Sequence, residues 1–233
     1  MRHAPPPLML FAAGFGTRMG ALTADRPKPL IPVAGVPLID RALALCEGAG
    51  IGRIVVNLHY RGDQLAAHLA GRDVALAWER DEILETGGGM RAALSLLGDG
   101  PVLALNPDAV WTGENPLTRL MAEWDGSRMD CLVTLLPAAR ALGHAGRDFL
   151  LDADGRIARA NGALAHAYLG AQIVNPALLH DVPEKAFSLN RLWDLAIARG
   201  RAYGLVHRGG WCDVGTPDGI AQAEALLAEG ADA

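Results

Sequence analysis

The chain reads as an α/β fold built on a doubly wound, mostly parallel β-sheet. Three features carry that expectation. Short apolar runs of strand length recur at residues 8–13, 53–57, 74–78 and 101–105, as buried parallel strands do. Helical patterns lie between them with short links, and such alternation implies right-handed crossovers within one sheet. The first run stops at Gly14-Phe15-Gly16-Thr17-Arg18, a turn placed where ligands bind in such sheets, beyond the carboxyl ends of the strands.

With 233 residues, 51% of them hydrophobic, the chain suits one globular unit over residues 1–233. A formal net charge of −5 leaves no broad basic surface for nucleic acid. Cys46, Cys131 and Cys212 stand far apart, without metal-ligand or redox spacing. They read as buried reduced thiols of a cytoplasmic protein. Met1-Arg2-His3 followed by Pro5-Pro6-Pro7 is not a signal peptide, and no run is long enough to span a membrane. The histidines, at 3, 59, 68, 144, 166, 180 and 207, form no metal-binding pair at helical spacing. There is no Gly-x-Ser-x-Gly elbow either, so nucleophilic hydrolase chemistry has no support.

The first strand, 8–13, delivers the glycine turn. Its glycines let the backbone bend sharply and approach a ligand, and successive N–H groups in such a turn make a concavity for anions. Thr17 and Arg18 add a hydroxyl and a guanidinium suited to phosphate. Lys28 follows between Pro27 and Pro29, which stiffen the backbone around it. Two better-known glycine motifs are excluded. The dinucleotide fingerprint requires glycine where Met19 stands, and a P-loop requires Gly-Lys-Ser/Thr.

A helix over 38–47 carries Leu38, Ala42, Leu45 and Cys46 on one side and ends at Gly48 and Gly50. Strand 53–57, helix 63–70, strand 74–78, helix 88–97 and strand 101–105 follow. Gly14, Asn57, Glu79 and Asn106 fall at the strand ends, so they should converge on one rim. Before helix 88–97 stands Glu85-Thr86-Gly87-Gly88-Gly89. Glycines opening a helix lower its propensity; they make sense if bare backbone lies against a flat ring or phosphate. Strand 101–105 leads to Asn106-Pro107-Asp108, a carboxylate placed to hold a divalent metal.

The later chain favours antiparallel pairing. A helix from Pro116 precedes strand 131–136. Asp152-Ala153-Asp154-Gly155 signals a hairpin turn. Strand 168–174 contains Gly170, a sign of close approach by a ligand. Helix 189–199, strand 202–207 and helix 217–227 close the chain.

Ala12-Ala13-Gly14-Phe15-Gly16-Thr17-Arg18-Met19 with Pro27-Lys28-Pro29-Leu30 resembles the signature of the sugar-1-phosphate nucleotidylyltransferases. Phe11 stands where that family usually has leucine. Asn106-Pro107-Asp108 resembles its Asn-Gly-Asp, and Trp211-Cys212-Asp213-Val214-Gly215-Thr216 its Trp-x-Asp-x-Gly-Thr. Glu85-Thr86-Gly87-Gly88-Gly89 and Gly146-Arg147-Asp148-Phe149 resemble the muramate-1-phosphate uridylyltransferase branch.

The resemblance implies a Rossmann-like nucleotidyltransferase fold, with a nucleotide half over about 1–110 and a sugar half over about 111–233. It implies attack of a sugar 1-phosphate, here N-acetylmuramate 1-phosphate in peptidoglycan recycling, on UTP. Arg18, Lys28 and Asp108 would be catalytic, and Asp108 and Asp213 would hold Mg²⁺. Ala12, Ala13, Gly14, Gly16, Thr17, Asn57, Glu85, Thr86, Gly87, Gly88 and Asn106 would complete the nucleotide site. Asp148 and Gly170 would face the sugar. Both aspartates follow apolar strands, so both reach the rim if those strands share one sheet. Other readings are another hexose-1-phosphate nucleotidylyltransferase, such as a mannose-1-phosphate guanylyltransferase, and a nucleotide-sensing subunit without turnover. Sister families continue into a β-helix domain, which is not expected here. A monomer or small homo-oligomer is expected.

Overall fold

A computed structural model describes residues 4–231; the Met1-Arg2-His3 start lies outside them. β1 (Leu8–Phe11) leads into 3₁₀ turns at Thr17–Thr23 and Lys28–Leu30. A ribbon of β2 (Pro32–Val33) and β3 (Val36–Pro37) precedes α1 (Leu38–Gly48). Then come β4 (Ile54–Leu58), α2 (Gly62–His68), β5 (Ala75–Trp78), α3 (Glu85–Ala92) and α4 (Leu94–Leu97). β6 (Val102–Leu105), β7 (Ala109–Trp111) and α5 (Pro116–Glu123) follow. The remainder is β8 (Cys131–Pro137), β9 (Phe149–Leu151), β10 (Ile157–Arg159), β11 (His166–Val174), α6 (Asn190–Ala198), β12 (Ala202–Val206), β13 (Trp211–Asp213) and α7 (Pro217–Ala231).

Nine strands form the central sheet in the order β10-β9-β11-β6-β1-β4-β5, with β8 joined to β11 and β12 to β8. β6, β1, β4 and β5 run parallel. β11 runs antiparallel to both β6 and β8, and β9 with β10 forms the hairpin signalled by Asp152 to Gly155. The doubly wound, mostly parallel expectation holds for the first half, with an antiparallel region grafted on through β11.

Alternate side chains leave opposite faces of a strand, and both faces are covered here. Leu8 and Leu10 pack with Ile39 and Leu43 of α1 and with Leu117 and Leu120 of α5. Met9 points the other way, among Met90, Leu97, Leu192 and Trp193. Each fully buried leucine on these strands is worth about 1.5–3 kcal/mol relative to exposure. A third cluster joins Ala223 of α7 to Val110, Cys212 and Val214, and to Met19 and Ile31 near the glycine turn. The closing helix therefore clamps the β7–β13 pair onto the segment that follows β1.

Two expectations change. The helix placed at 88–97 opens earlier, at Glu85, and breaks at Ala93, whose ψ of 0° is not helical. Asp108 and Asp213 do not follow strands of one sheet. Asp213 ends β13, which pairs with β7 in a separate two-stranded sheet. The chain enters β7 directly after Asp108, and Asp213 lies opposite Ala109, so the two carboxylates still meet by a different route. Cys46, Cys131 and Cys212 are buried free thiols, and burial pushes Cys46 and Cys131 up to about 12. Among the described residues no helix is long and apolar enough to cross a membrane.

Candidate active site

A cleft of about 310 Å³ opens at the carboxyl ends of β1, β4 and β6. Ala12, Ala13, Gly14, Gly16, Thr17, Arg18, Lys28, Asn57, Glu85, Thr86, Asn106 and Asp108 line it. Strand polarity explains the convergence, because parallel strands deliver their following residues to the same edge.

At one end stand the cations. Gly16 has φ of +64° and its missing Cβ would lie 2.9 Å from Lys28 Cβ, so both backbone angle and space require glycine there. Its carbonyl accepts from Met19 N–H at 2.9 Å, closing the first 3₁₀ turn. Lys28 is buried, and its Nζ lies 2.7 Å from Asp108 Oδ2. Arg18 Nη1 lies 3.8 Å from Asp213 Oδ2, with its side chain 65% exposed toward the cleft mouth. Gly215 makes room for that approach: a Cβ there would stand 2.5 Å from Asp213 Oδ2 and 2.7 Å from Arg18 Nη1. Val214 N–H donates to the Asp108 carbonyl at 2.8 Å and ties the two acidic segments together. Burial pushes the Asp213 carboxyl above its usual range and the Asp108 charge adds to it, while Lys28 and Arg18 pull it back.

The turn is held from outside by the β4–α2 connection. Tyr60 O–H donates to the Thr23 carbonyl at 2.8 Å, Arg61 to that of Ala24, and Gln64 Nε2 to that of Asp25 at 3.0 Å. Three consecutive carbonyls are thereby pinned, and Phe15 stacks edge-on against His59.

The other end is built on a buried relay. Ala12 N–H donates to Asn57 Oδ1 at 2.7 Å, and Asn57 Nδ2 donates to Glu79 Oε1 at 2.7 Å. Glu79 Oε2 accepts from Leu84 N–H at 2.8 Å. Every polar atom of the two side chains except the second amide hydrogen has a use, which satisfies the groups at their depth. Gly89 accommodates the carboxylate, since a Cβ there would be 2.6 Å from Glu79 Oε1.

Gly87 and Gly88 do not reach the cleft. Their N–H groups donate to the Phe187 carbonyl at 2.8 and 3.0 Å. A Cβ on Gly87 would be 2.4 Å from the Phe187 ring, and one on Gly88 2.5 Å from the Lys185 carbonyl. The glycine run lets α3 press against the Lys185 to Phe187 segment, a contact within the chain that the sequence did not announce. Asp148 is also off the cleft, with Oδ2 accepting from Tyr168 N–H at 2.7 Å. Gly170 backs Asn106 from behind: a Cβ would sit 3.0 Å from Asn106 Cβ, and Asn106 N–H donates to the Gly170 carbonyl at 2.8 Å.

Glu79 was on the predicted rim without a role, although a buried acid at a strand end opposite Asn57 is a readable signal. Phe11, Ile83, Pro29, Pro107 and Gly215 also line the cleft; four of them belong to the segments singled out in the sequence, and no local pattern marks Ile83. Among the described residues no group of three or more acidic, histidine or cysteine side chains is arranged around a metal position. Asp108 lines the cleft, and the bond from Val214 N–H to its carbonyl at 2.8 Å brings the Asp213 segment beside it.

Residues 8–180 match the family model of a MobA-like NTP transferase domain. An N-acetylmuramate alpha-1-phosphate uridylyltransferase of Caulobacter vibrioides is 41% identical, over 98% of this chain and 100% of its own length. One of Neisseria meningitidis is 32% identical over 94% of this chain and 96% of its own. The structure of HddC from Yersinia pseudotuberculosis complexed with GMP-PN matches in fold, with a TM-score of 0.76 at 20% identity, over 95% of this chain and 99% of that one. The sheet order, the cleft at its carboxyl edge and these full-length likenesses agree: this chain belongs to the MobA-like NTP transferase family and is a nucleotidyltransferase.

Proposed function

We propose that the chain transfers the uridylyl group of UTP to N-acetylmuramate 1-phosphate and releases pyrophosphate, a reaction of peptidoglycan recycling. The observation that carries this reading is one cleft lined by the cations Arg18 and Lys28 together with Ala12, Asn57 and Thr86. The choice of uridine and muramate rests on the two full-length relatives.

In this reading a sugar-phosphate oxygen attacks the α-phosphorus, and the bond to the bridging oxygen of the leaving pyrophosphate breaks. No general base is required, because a phosphate monoester with a second pKa near ~6 is already mostly dianionic at neutral pH. The obstacle is repulsion between two anions. Arg18, Thr17 and the N–H groups around Gly14 to Gly16 bind and orient the triphosphate. Lys28 supplies a compact positive charge where negative charge accumulates. Asp108 and Asp213 would hold Mg²⁺: both are carboxylate oxygen donors, their segments are tied by the bond from Val214 N–H to the Asp108 carbonyl at 2.8 Å, and Mg²⁺ takes one or two carboxylates together with substrate phosphates. When bound, Mg²⁺ supplies charge neutralisation and a template for in-line attack.

Pyrophosphate release measured across sugar 1-phosphates and the four triphosphates tests the reading. UTP with N-acetylmuramate 1-phosphate should give the highest kcat/KM. Preference for GTP with mannose 1-phosphate would replace it with a guanylyltransferase, and binding without turnover for every pair would leave a nucleotide sensor. Asp108→Asn and Asp213→Asn should each remove most activity, with the double variant little worse because the pair acts as a unit.

A further inference from the structure

Glu85 is a solvent-exposed acidic residue that lines the cleft. Its neighbours are engaged: both oxygens of Glu79 accept hydrogen bonds, Thr86 Oγ1 accepts from Leu189 N–H at 2.9 Å, and Glu82 pairs with Lys185 at 2.5 Å. Among the described residues Glu85 has no hydrogen-bond or ion-pair partner, yet it lines the cleft. It is also held at φ of +58°, a conformation that disfavours any side chain and suits glycine. A carboxylate in the first turn of α3 gains from the helix dipole, but Thr86 at the next position offers the same dipole without the strained angle.

We infer that the Glu85 carboxylate binds the ribose of the nucleotide through its 2′- and 3′-hydroxyls. This rests on the nucleotide reading above. Charge orients the ligand: phosphates go to Arg18 and Lys28, so the neutral nucleoside faces Glu85. A carboxylate only accepts, and a vicinal diol offers it two O–H donors. A uracil edge offers one N–H flanked by two carbonyl oxygens, which would oppose the second carboxylate oxygen. The strained backbone at Glu85 thus has a return in substrate recognition, as at other sites where strain and function coincide.

The test is equilibrium binding of nucleoside diphosphates, each as ribo, 2′-deoxy and 3′-deoxy forms with all four bases, to the full chain in Mg²⁺. Whichever base binds best, wild type should prefer its ribo form by about tenfold or more, the scale of a lost charge-assisted hydrogen bond. In Glu85→Gly ribo affinity should drop to the deoxy level while the melting temperature rises, since glycine relieves the backbone. Glu85→Gln, keeping one acceptor, should retain part of the preference. Equal ribo and deoxy binding in wild type overturns the inference, as does an unchanged ratio in Glu85→Gly. A changed base preference with the ribo ratio intact assigns the carboxylate to the base and also overturns it. A preferred base other than uracil, with the ribo preference lost in Glu85→Gly, sinks the uridine reading alone. Failure of every nucleotide to bind ends both.

Discussion

Lys28 Nζ lies 2.7 Å from Asp108 Oδ2 across a sequence separation of 80 residues, at the wall of the cleft. The ammonium occupies an oxygen of the carboxylate proposed above to hold Mg²⁺, so on that proposal lysine and cation would compete for it.

Lys28→Met should therefore act in two directions. Turnover should fall about 10²–10³-fold, the usual loss for one charge-stabilising group. Affinity of the nucleotide-free protein for Mn²⁺, read by calorimetry, should rise because Asp108 loses its resident cation. Undiminished turnover would remove Lys28 from the chemistry, and unchanged Mn²⁺ affinity would separate Asp108 from the metal.

Glu79→Gln replaces one of two accepting oxygens with a donor. Both Asn57 Nδ2 and Leu84 N–H already point donors at Glu79, so the new amide must face one of them. The clash should cost about 1–3 kcal/mol. Through Ala12 N–H and Asn57 Oδ1 it should also raise KM for the triphosphate more than it lowers kcat. Urea denaturation and steady-state kinetics on the same variant check both parts.

Gly87→Ala separates packing from ligand contact in the glycine run. A Cβ 2.4 Å from the Phe187 ring and 2.9 Å from its carbonyl forces α3 away from that segment. Such overpacking should cost about 1–3 kcal/mol, with no ligand present. Gly52→Ala, where nothing lies within 4 Å, is the near-neutral control. Equal urea midpoints for the two variants would contradict the packing role.

His207 makes stability depend on pH. Burial holds its pKa below the ordinary 6.5, against hydrogen bonds from the ring to Thr112 and Gly210 that pull the other way. The unfolded chain then binds a proton that the folded one refuses, so stability rises with pH through the window between the lowered value and 6.5. Above that window the stabilisation is complete; below it, it is lost. Melting temperature should fall between about pH 7 and about pH 5, and His207→Gln should flatten that slope. A slope unchanged by the substitution would place the titrating group elsewhere.

The parallel half of the fold was readable because its signals are local. Strands 8–13 and 53–57 show as apolar runs near their observed positions at Leu8–Phe11 and Ile54–Leu58. The Pro27-Lys28-Pro29 unit and the glycine turn mark the cationic end within a short stretch, and the cleft wall contains both. β7 and β13 were missed since three residues each are too few to show a period, and their pairing joins Trp111 to Trp211. The ribbon that brings Asp213 beside Asp108 was invisible for the same reason.

Residue type and short-range pattern settle which segments become strands, where the chain must turn, and which charges are available to phosphate, because those follow from backbone sterics and burial of neighbours. They leave open what each exposed feature meets. Gly87 and Gly88 read identically whether they face a ligand or Phe187, and Asp148 reads identically whether it faces a sugar or Tyr168 N–H. Packing of α3 on the Lys185 to Phe187 segment and of β9 beside β11 supplies the partners within the chain. The reason is that a steric or hydrogen-bonding demand has the same local signature whether a ligand or a distant part of the chain fulfils it.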